Sequence, residues 1–184
     1  SILGVSGSVS GFDTGPANCL MDSWIESNLK QAFDRDGCWA SSGQVSPRLL
    51  KNMLSDPFFS KDAPKSTGVE YFNSAWLERQ LDGETLDAAD VQATLAELTA
   101  VSVTDQVQKY SPEEVLVCGG GRHNSYLMPR LQANLPGVPM RSTAFRGLDP
   151  DGIEAILFAW RARERLAGRI METGSITGAR KPVL

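Results

Sequence analysis

Asp13 stands inside the segment Gly11-Phe12-Asp13-Thr14-Gly15-Pro16-Ala17-Asn18. Ile2, Leu3, Val5, Val9 and Phe12 lie among Gly and Ser, which predicts two short strands over residues 1–12 joined by a turn at Ser6-Gly7-Ser8. A carboxylate at the end of a strand, just ahead of a sharp turn, can face a cleft and take a proton as a general base. The same position suits an Asx-turn or a helix-entry cap, and spacing alone leaves both open. Asp-Thr-Gly also occurs in aspartic proteases, whose site needs two such carboxylates on mostly β-structure. Here the triplet occurs once, among helical patterns, which argues against that chemistry.

A second candidate lies at Val115-Leu116-Val117-Cys118-Gly119-Gly120-Gly121-Arg122-His123-Asn124. An apolar run of strand length ends in glycines and passes into a helical pattern. Backbone N–H groups in such a turn can approach a phosphate closely, and the helix start adds partial positive charge. The spacing Gly119-x-Gly121-x-x-Asn124 nearly fits a dinucleotide fingerprint, but Asn124 stands where a third Gly belongs. The next strand carries Arg141 rather than an acidic residue. A mononucleotide, a dinucleotide and a ligand-free tight turn all remain open here.

The third is Glu154, at the start of the last strong helical pattern. It follows Asp151 by three residues, which is capping-box spacing with Asp151 as the cap. The alternative is a carboxylate at a helix start that accepts hydrogen bonds from sugar hydroxyls. Pro64-Lys65-Ser66-Thr67-Gly68 lacks the glycines of a P-loop and reads as a polar contact loop. Asp34-Arg35-Asp36-Gly37 hints at calcium, but Val45 stands where such a loop needs Glu. His123 is the sole histidine, so a multi-histidine zinc site is excluded. Cys118 and His123 could both touch a metal, but two ligands without a third make no metal site.

The elements that must position these groups follow from periodicity. Pro16 opens a helix over 16–32 carrying Leu20, Trp24, Ile25 and Leu29, and residues 34–45 read as a polar loop. Ser46-Pro47 starts a helix with Leu49, Leu50, Met53 and Leu54. Residues 56–73 are irregular and aromatic, and a short helix follows near 74–81. The longest helical pattern runs 87–109, with Val91, Leu95, Leu98 and Val101 near one face. Strands at 115–118 and 138–143 flank a helix with Leu127, Leu131 and Leu135, and a final helix spans 151–167. Strand, glycine loop, helix, strand, helix is an α/β order.

The 184 residues carry 18 Lys+Arg against 22 Asp+Glu, a net charge of -4. No basic cluster marks a nucleic-acid or anionic-membrane surface. No apolar run approaches the roughly 20 residues of a membrane span, and Ser1 to Gly11 lacks the pattern of a signal peptide. Cys19, Cys38 and Cys118 are odd in number with no CxxC, so reduced thiols and a cytoplasmic location are expected.

Several stretches together, GFDTGPAN, MDSW, APKSTGVEYFN, VQATLAELTA, VLVCGGGRHN and IEAILFAW, resemble in order the C-terminal half of the anhydro-N-acetylmuramic acid kinase family. The resemblance covers essentially the whole chain. It implies a ribonuclease-H-like α/β domain of the actin, sugar-kinase and heat-shock-ATPase superfamily, with a mixed sheet flanked by helices. It also implies that residues 1–184 form a partial C-terminal domain. The N-terminal domain and a first, central strand would precede residue 1, and the isolated segment would be inactive.

The implied reaction takes 1,6-anhydro-N-acetylmuramic acid, ATP and water to the 6-phosphate with an opened anhydro ring. On that resemblance Asp13 activates water. Glu154, Thr14, Lys65 and Ser66 contact the sugar. Gly119, Gly120 and Gly121 approach the nucleotide, with Asn124 close by. ATP and Mg2+ are the implied cofactors, a homodimer is the implied assembly, and no protein-held metal is implied. Two other readings compete: a catalytically inactive nucleotide- or sugar-binding module, and an NADP-type oxidoreductase fragment.

Overall fold

In a computed structural model, residues 1–4, 7–170 and 174–177 are described. The chain starts as a hairpin. Strands β1 (Ile2–Leu3) and β2 (Val9–Ser10) pair antiparallel, with Ile2 opposite Ser10. The turn closes through the Gly4 N–H to the Ser8 carbonyl at 2.9 Å, and the predicted turn residue Ser6 lies outside the described residues.

Helix α1 spans Cys19–Leu29, not 16–32. Ala17 takes a positive φ of 48°, which no helix tolerates, so Pro16 stays outside the first turn. The predicted polar loop at 34–45 holds a 3-10 turn, Arg35–Gly37, and helix α2, Cys38–Ser42. Asp34 explains that helix. Its Oδ1 accepts the Trp39 N–H at 2.9 Å and its Oδ2 the Ala40 N–H at 2.8 Å, satisfying donors that a first turn leaves free.

Helix α3 (Pro47–Leu54) starts as the sequence predicts, with Ser46 accepting from the Leu49 N–H. One turn, α4 (Pro57–Ser60), sits in the aromatic stretch, and α5 (Ser74–Leu81) follows. Helix α6 spans Ala88–Gln108 and packs on α1, α2 and α3. It is buried nearly all round between Val91 and Ala96, as expected of a central helix. Gly43, at the end of α2, lies against the backbone of Ala89 and Asp90 at the start of α6.

Strand β3 (Val115–Val117) pairs parallel with β4 (Met140–Ser142), and α7 (Leu127–Asn134), which also packs on α6, connects them. Helix α8 (Ile153–Leu166) and a last turn, α9 (Gly174–Thr177), complete the described chain.

The expected single mixed sheet is not found among the described residues. The strands form two separate two-stranded sheets, β1–β2 and β3–β4. The core is helical instead: Leu20, Met21, Leu49, Met53, Leu95 and Leu98 are buried with Phe58, Phe72 and Trp76. The final helix, expected over 151–167, leaves several of its apolar positions exposed. Ile156 is 48%, Leu157 47% and Trp160 48% exposed.

The aromatic stretch is organised by Asp56. Phe72 meets Phe58 and Trp76 edge-on, at centroid distances of 5.3 and 4.9 Å. Asp56 accepts from Trp76 Nε1 at 2.8 Å, Tyr71 Oη–H at 2.7 Å and the Phe58 N–H at 2.8 Å. Burial pushes its carboxyl up, but these three donors outweigh burial and hold it below the ordinary carboxylate range. That contribution is complete above the ordinary pKa of about 3.9 and is lost as pH falls through the lower folded value. Asp56→Ala is therefore expected to cost about 2–3 kcal/mol near neutral pH. The difference from wild type should shrink below about pH 4. Urea unfolding of the full-length protein at both pH values, followed by tryptophan fluorescence, checks this. An equal difference at both pH values would show that the carboxylate charge is not what matters.

Candidate active site

Asp13 follows β2 and is held from one side by the loop 65–67. Its N–H donates to the Lys65 carbonyl at 3.0 Å. Its Oδ2 accepts from Ser66 Oγ at 3.0 Å and from the Thr67 N–H at 2.9 Å. Both side-chain bonds land on Oδ2, and Oδ1 accepts none among the described residues. Asp13 is exposed. It forms no helix cap: Asn18 precedes α1. A carboxylate fixed through one oxygen, with the other open to water, is the arrangement a general base needs.

The turn after Asp13 is set by α6. Thr99 Oγ1 donates to the Ala17 carbonyl at 2.9 Å. A Cβ on Gly15 would lie 2.9 Å from Ser102 Oγ and 3.1 Å from Phe59 Cε1, so only glycine lets the chain pass that closely. Thr14 is half-buried beside Asp13.

Lys65 faces inward and is 8% exposed. Its ammonium donates to the carbonyls of Phe58 (3.1 Å) and Phe59 (3.3 Å) at the end of α4, and lies 4.8 Å from the centre of the Phe58 ring. Burial, aided by Lys109 and Lys61 and opposed by Asp62, lowers its pKa.

The glycine turn follows β3. Gly119 has φ 79° and leads into a 3-10 turn, Gly120–His123. Gly120 needs neither a left-handed conformation nor a close neighbour: a Cβ there would meet nothing within 4 Å. Among the described residues nothing accounts for its lack of a side chain, and the open face above it suits a ligand. A Cβ on Gly121 would lie 3.5 Å from the Asn18 side chain, so the segments carrying Asp13 and the glycines meet. Asn124 Oδ1 accepts from the N–H groups of Tyr126 and Leu127, at 3.0 and 2.9 Å, and so steadies the start of α7. A cavity of about 490 Å3 opens between these parts, lined among others by Asn18, Asp22, Phe33, Gly120, Gly121 and Asn124. Burial, then the nearby Asp34 charge, pushes the Asp22 carboxyl up.

The turn before α8 is tied to the glycine turn. The Gly119 N–H donates to the Pro150 carbonyl at 2.8 Å. Asp151 accepts from Arg122 at 2.7 Å and lies 3.2 Å from His123 Nε2. The Arg122 hydrogen bond, working against burial and helped by His123, holds the Asp151 carboxyl low. Asp151 is thus committed to this ion pair, and α8 starts from Gly152 without a side-chain cap, so the capping box does not form. Glu154 is exposed in the first turn of α8.

The candidates from sequence therefore fall into two sets. Asp13 and Ser66 meet directly, with Lys65 behind them. Gly119, Gly120, Gly121 and Asn124 form a second group with Asn18, and Glu154 begins the helix tied to it. No hydrogen bond joins Glu154 to Asp13 among the described residues. The Arg122–Asp151 pair and Phe33 are not singled out by sequence. A cation beside the glycine run and an acid ahead of α8 were the available signals for the pair.

No helix of the described residues is long and apolar enough to cross a membrane. The family profile Anhydro-N-acetylmuramic acid kinase matches residues 1–184. An anhydro-N-acetylmuramic acid kinase of Xanthomonas axonopodis pv. citri (strain 306) is 52% identical over 180 residues, covering 97% of this chain and 48% of that protein. One of Pseudomonas fluorescens (strain Pf0-1) is 51% identical over 175 residues, covering 94% of this chain and again 48% of the relative. The chain spans about half the length of the curated relatives it matches. With a profile matched from first residue to last and relatives about half identical across nearly the whole chain, this chain belongs to the anhydro-N-acetylmuramic acid kinase family.

Proposed function

We propose that this chain supplies the general base and part of the nucleotide site of a carbohydrate kinase. The kinase converts 1,6-anhydro-N-acetylmuramic acid, ATP and water to N-acetylmuramic acid 6-phosphate and ADP, a step of peptidoglycan recycling. The observation that carries this reading is the clamp on Asp13, which engages Oδ2 and, among the described residues, leaves Oδ1 open. Asp13 takes a proton from water as that water attacks the anomeric carbon. The ring oxygen released at position 6 then accepts the γ-phosphoryl group. Magnesium enters with ATP as part of the substrate, shielding phosphate charge.

Gly119, Gly120 and Gly121 let the backbone approach the nucleotide, with Asn124 beside them, and the adjoining cavity is the space for it. Thr14, Ser66 and Glu154 face the sugar. The fold is a ribonuclease-H-like domain of the sugar-kinase superfamily, completed by the remaining half of the protein, which supplies the rest of the cleft. The working protein is a cytoplasmic homodimer.

The test is ADP release by the full-length protein with magnesium, ATP and 1,6-anhydro-N-acetylmuramic acid. Release that depends on the sugar supports the reading. Nucleotide binding without release sinks it in favour of a binding module. Glu154→Ala is expected to lower kcat/KM for the sugar by roughly 10- to 100-fold, as loss of a charged hydrogen-bond acceptor does, with KM for ATP unchanged. Unchanged sugar kinetics would remove Glu154 from the site.

A further inference from the structure

We propose that Lys65 is a positioning residue for Asp13, acting through the loop it anchors rather than by touching substrate. This rests on Asp13 being the base. Three bonds fix Asp13, and all three come from residues 65–67: the Lys65 carbonyl, Ser66 Oγ and the Thr67 N–H. That short segment is exposed at Ser66 and belongs to no helix or strand, so nothing regular fixes its height above the core. The Lys65 ammonium does so instead. It reaches down to the Phe58 and Phe59 carbonyls and the Phe58 ring.

Those two residues are themselves set in the core. Phe58 is buried against Phe72, and Phe59 packs beneath Gly15, two residues beyond Asp13. The same two-residue platform thus supports both walls of the base: the 15–17 turn from below, and the 65–67 loop through Lys65. Buried, with two of its three N–H donors on main-chain carbonyls and the Phe58 ring beside it, the ammonium faces the core rather than a phosphate or a sugar. A misplacement of about 1 Å in a reacting group can cost about 100-fold in rate, so loosening this tie should appear in the chemical step.

The experiment uses the full-length protein with 1,6-anhydro-N-acetylmuramic acid and ATP. Lys65→Met is expected to lower kcat by roughly 10- to 100-fold while both KM values stay within about twofold. Lys65→Gln, which keeps a neutral donor, should recover part of the loss, and serves in its place if the Met variant does not fold. The double variant Lys65→Met/Ser66→Ala should lose less kcat than the product of the two single losses, because both loosen the same hold on Asp13. Effects that multiply would overturn the proposal. So would a raised KM for the sugar with kcat unchanged, which would make Lys65 a substrate contact. Asp13→Asn, run beside them, separates the two failures: wild-type turnover in that variant would remove the base itself.

Discussion

Asp13→Asn is expected to lower kcat of the full-length protein by roughly 10²- to 10⁴-fold, the range for loss of a general base. The substitution keeps the clamp. An amide oxygen can still accept from Ser66 Oγ and the Thr67 N–H, which both bind the same atom in the native side chain. What it removes is the capacity to take a proton at the free position. Folding should therefore be unaffected, and KM for ATP should not move, since the glycine turn is built on β3 and shares no hydrogen bond with Asp13 among the described residues. ADP release measured beside a thermal melt tests both halves of the statement. Turnover within threefold of wild type would mean that water is activated elsewhere.

Gly43→Ala has the largest expected effect on stability, a loss of about 3–4 kcal/mol. The backbone there is extended at φ -98°, so conformation is not the obstacle. Space is. A Cβ would lie well inside contact distance of the Ala89 carbonyl and 2.7 Å from the Asp90 nitrogen. Both neighbours are main chain and cannot rotate away. The surrounding stitches resist a shift: Gln44 N–H donates to Asp90 Oδ1 at 2.7 Å, and Ser46 N–H to Thr94 Oγ1 at 2.9 Å. Either α2 or the start of α6 must move, and each carries a core residue nearby, Ala40 and Val91. Urea unfolding measures the loss, and Gly120→Ala, where nothing lies within 4 Å, is the control expected to stay within about 0.5 kcal/mol of wild type. A loss at Gly43 of the same small size would show that α2 yields freely.

Where the local signal was strong, sequence placed the element. Ser46-Pro47 carries both a cap and a helix-compatible proline, and α3 begins there. A short helix is expected near 74–81, and α5 spans Ser74–Leu81 with Trp76 and Leu77 buried. The misses have one cause, which is side-chain partnership that periodicity does not record. α2 exists because Asp34 folds back across a left-handed Asp36 and Gly37 to cap it, a contact no periodic pattern records. Asp151 fits a capping box until Arg122 and His123, nearly 30 residues upstream, claim its carboxylate. Of the candidate site, Asp13, Ser66 and the glycines could be singled out by residue type and spacing. That Lys65 turns inward was not legible, because a lysine among polar neighbours reads as exposed until the Phe58 and Phe59 carbonyls are found beneath it.

None of the strand residues is buried, whereas α6 is buried along most of its length. In terms of amide exchange, this divides the molecule into two regimes. The amides of α6 should be among the last to exchange, and those of the β1–β2 hairpin among the first. Asp13 sits where they meet. The chain arrives from the fast-opening hairpin, but the bonds that fix the carboxylate come from a loop moored to the slow-opening aromatic core. The hairpin can fray and re-form while the base stays in register.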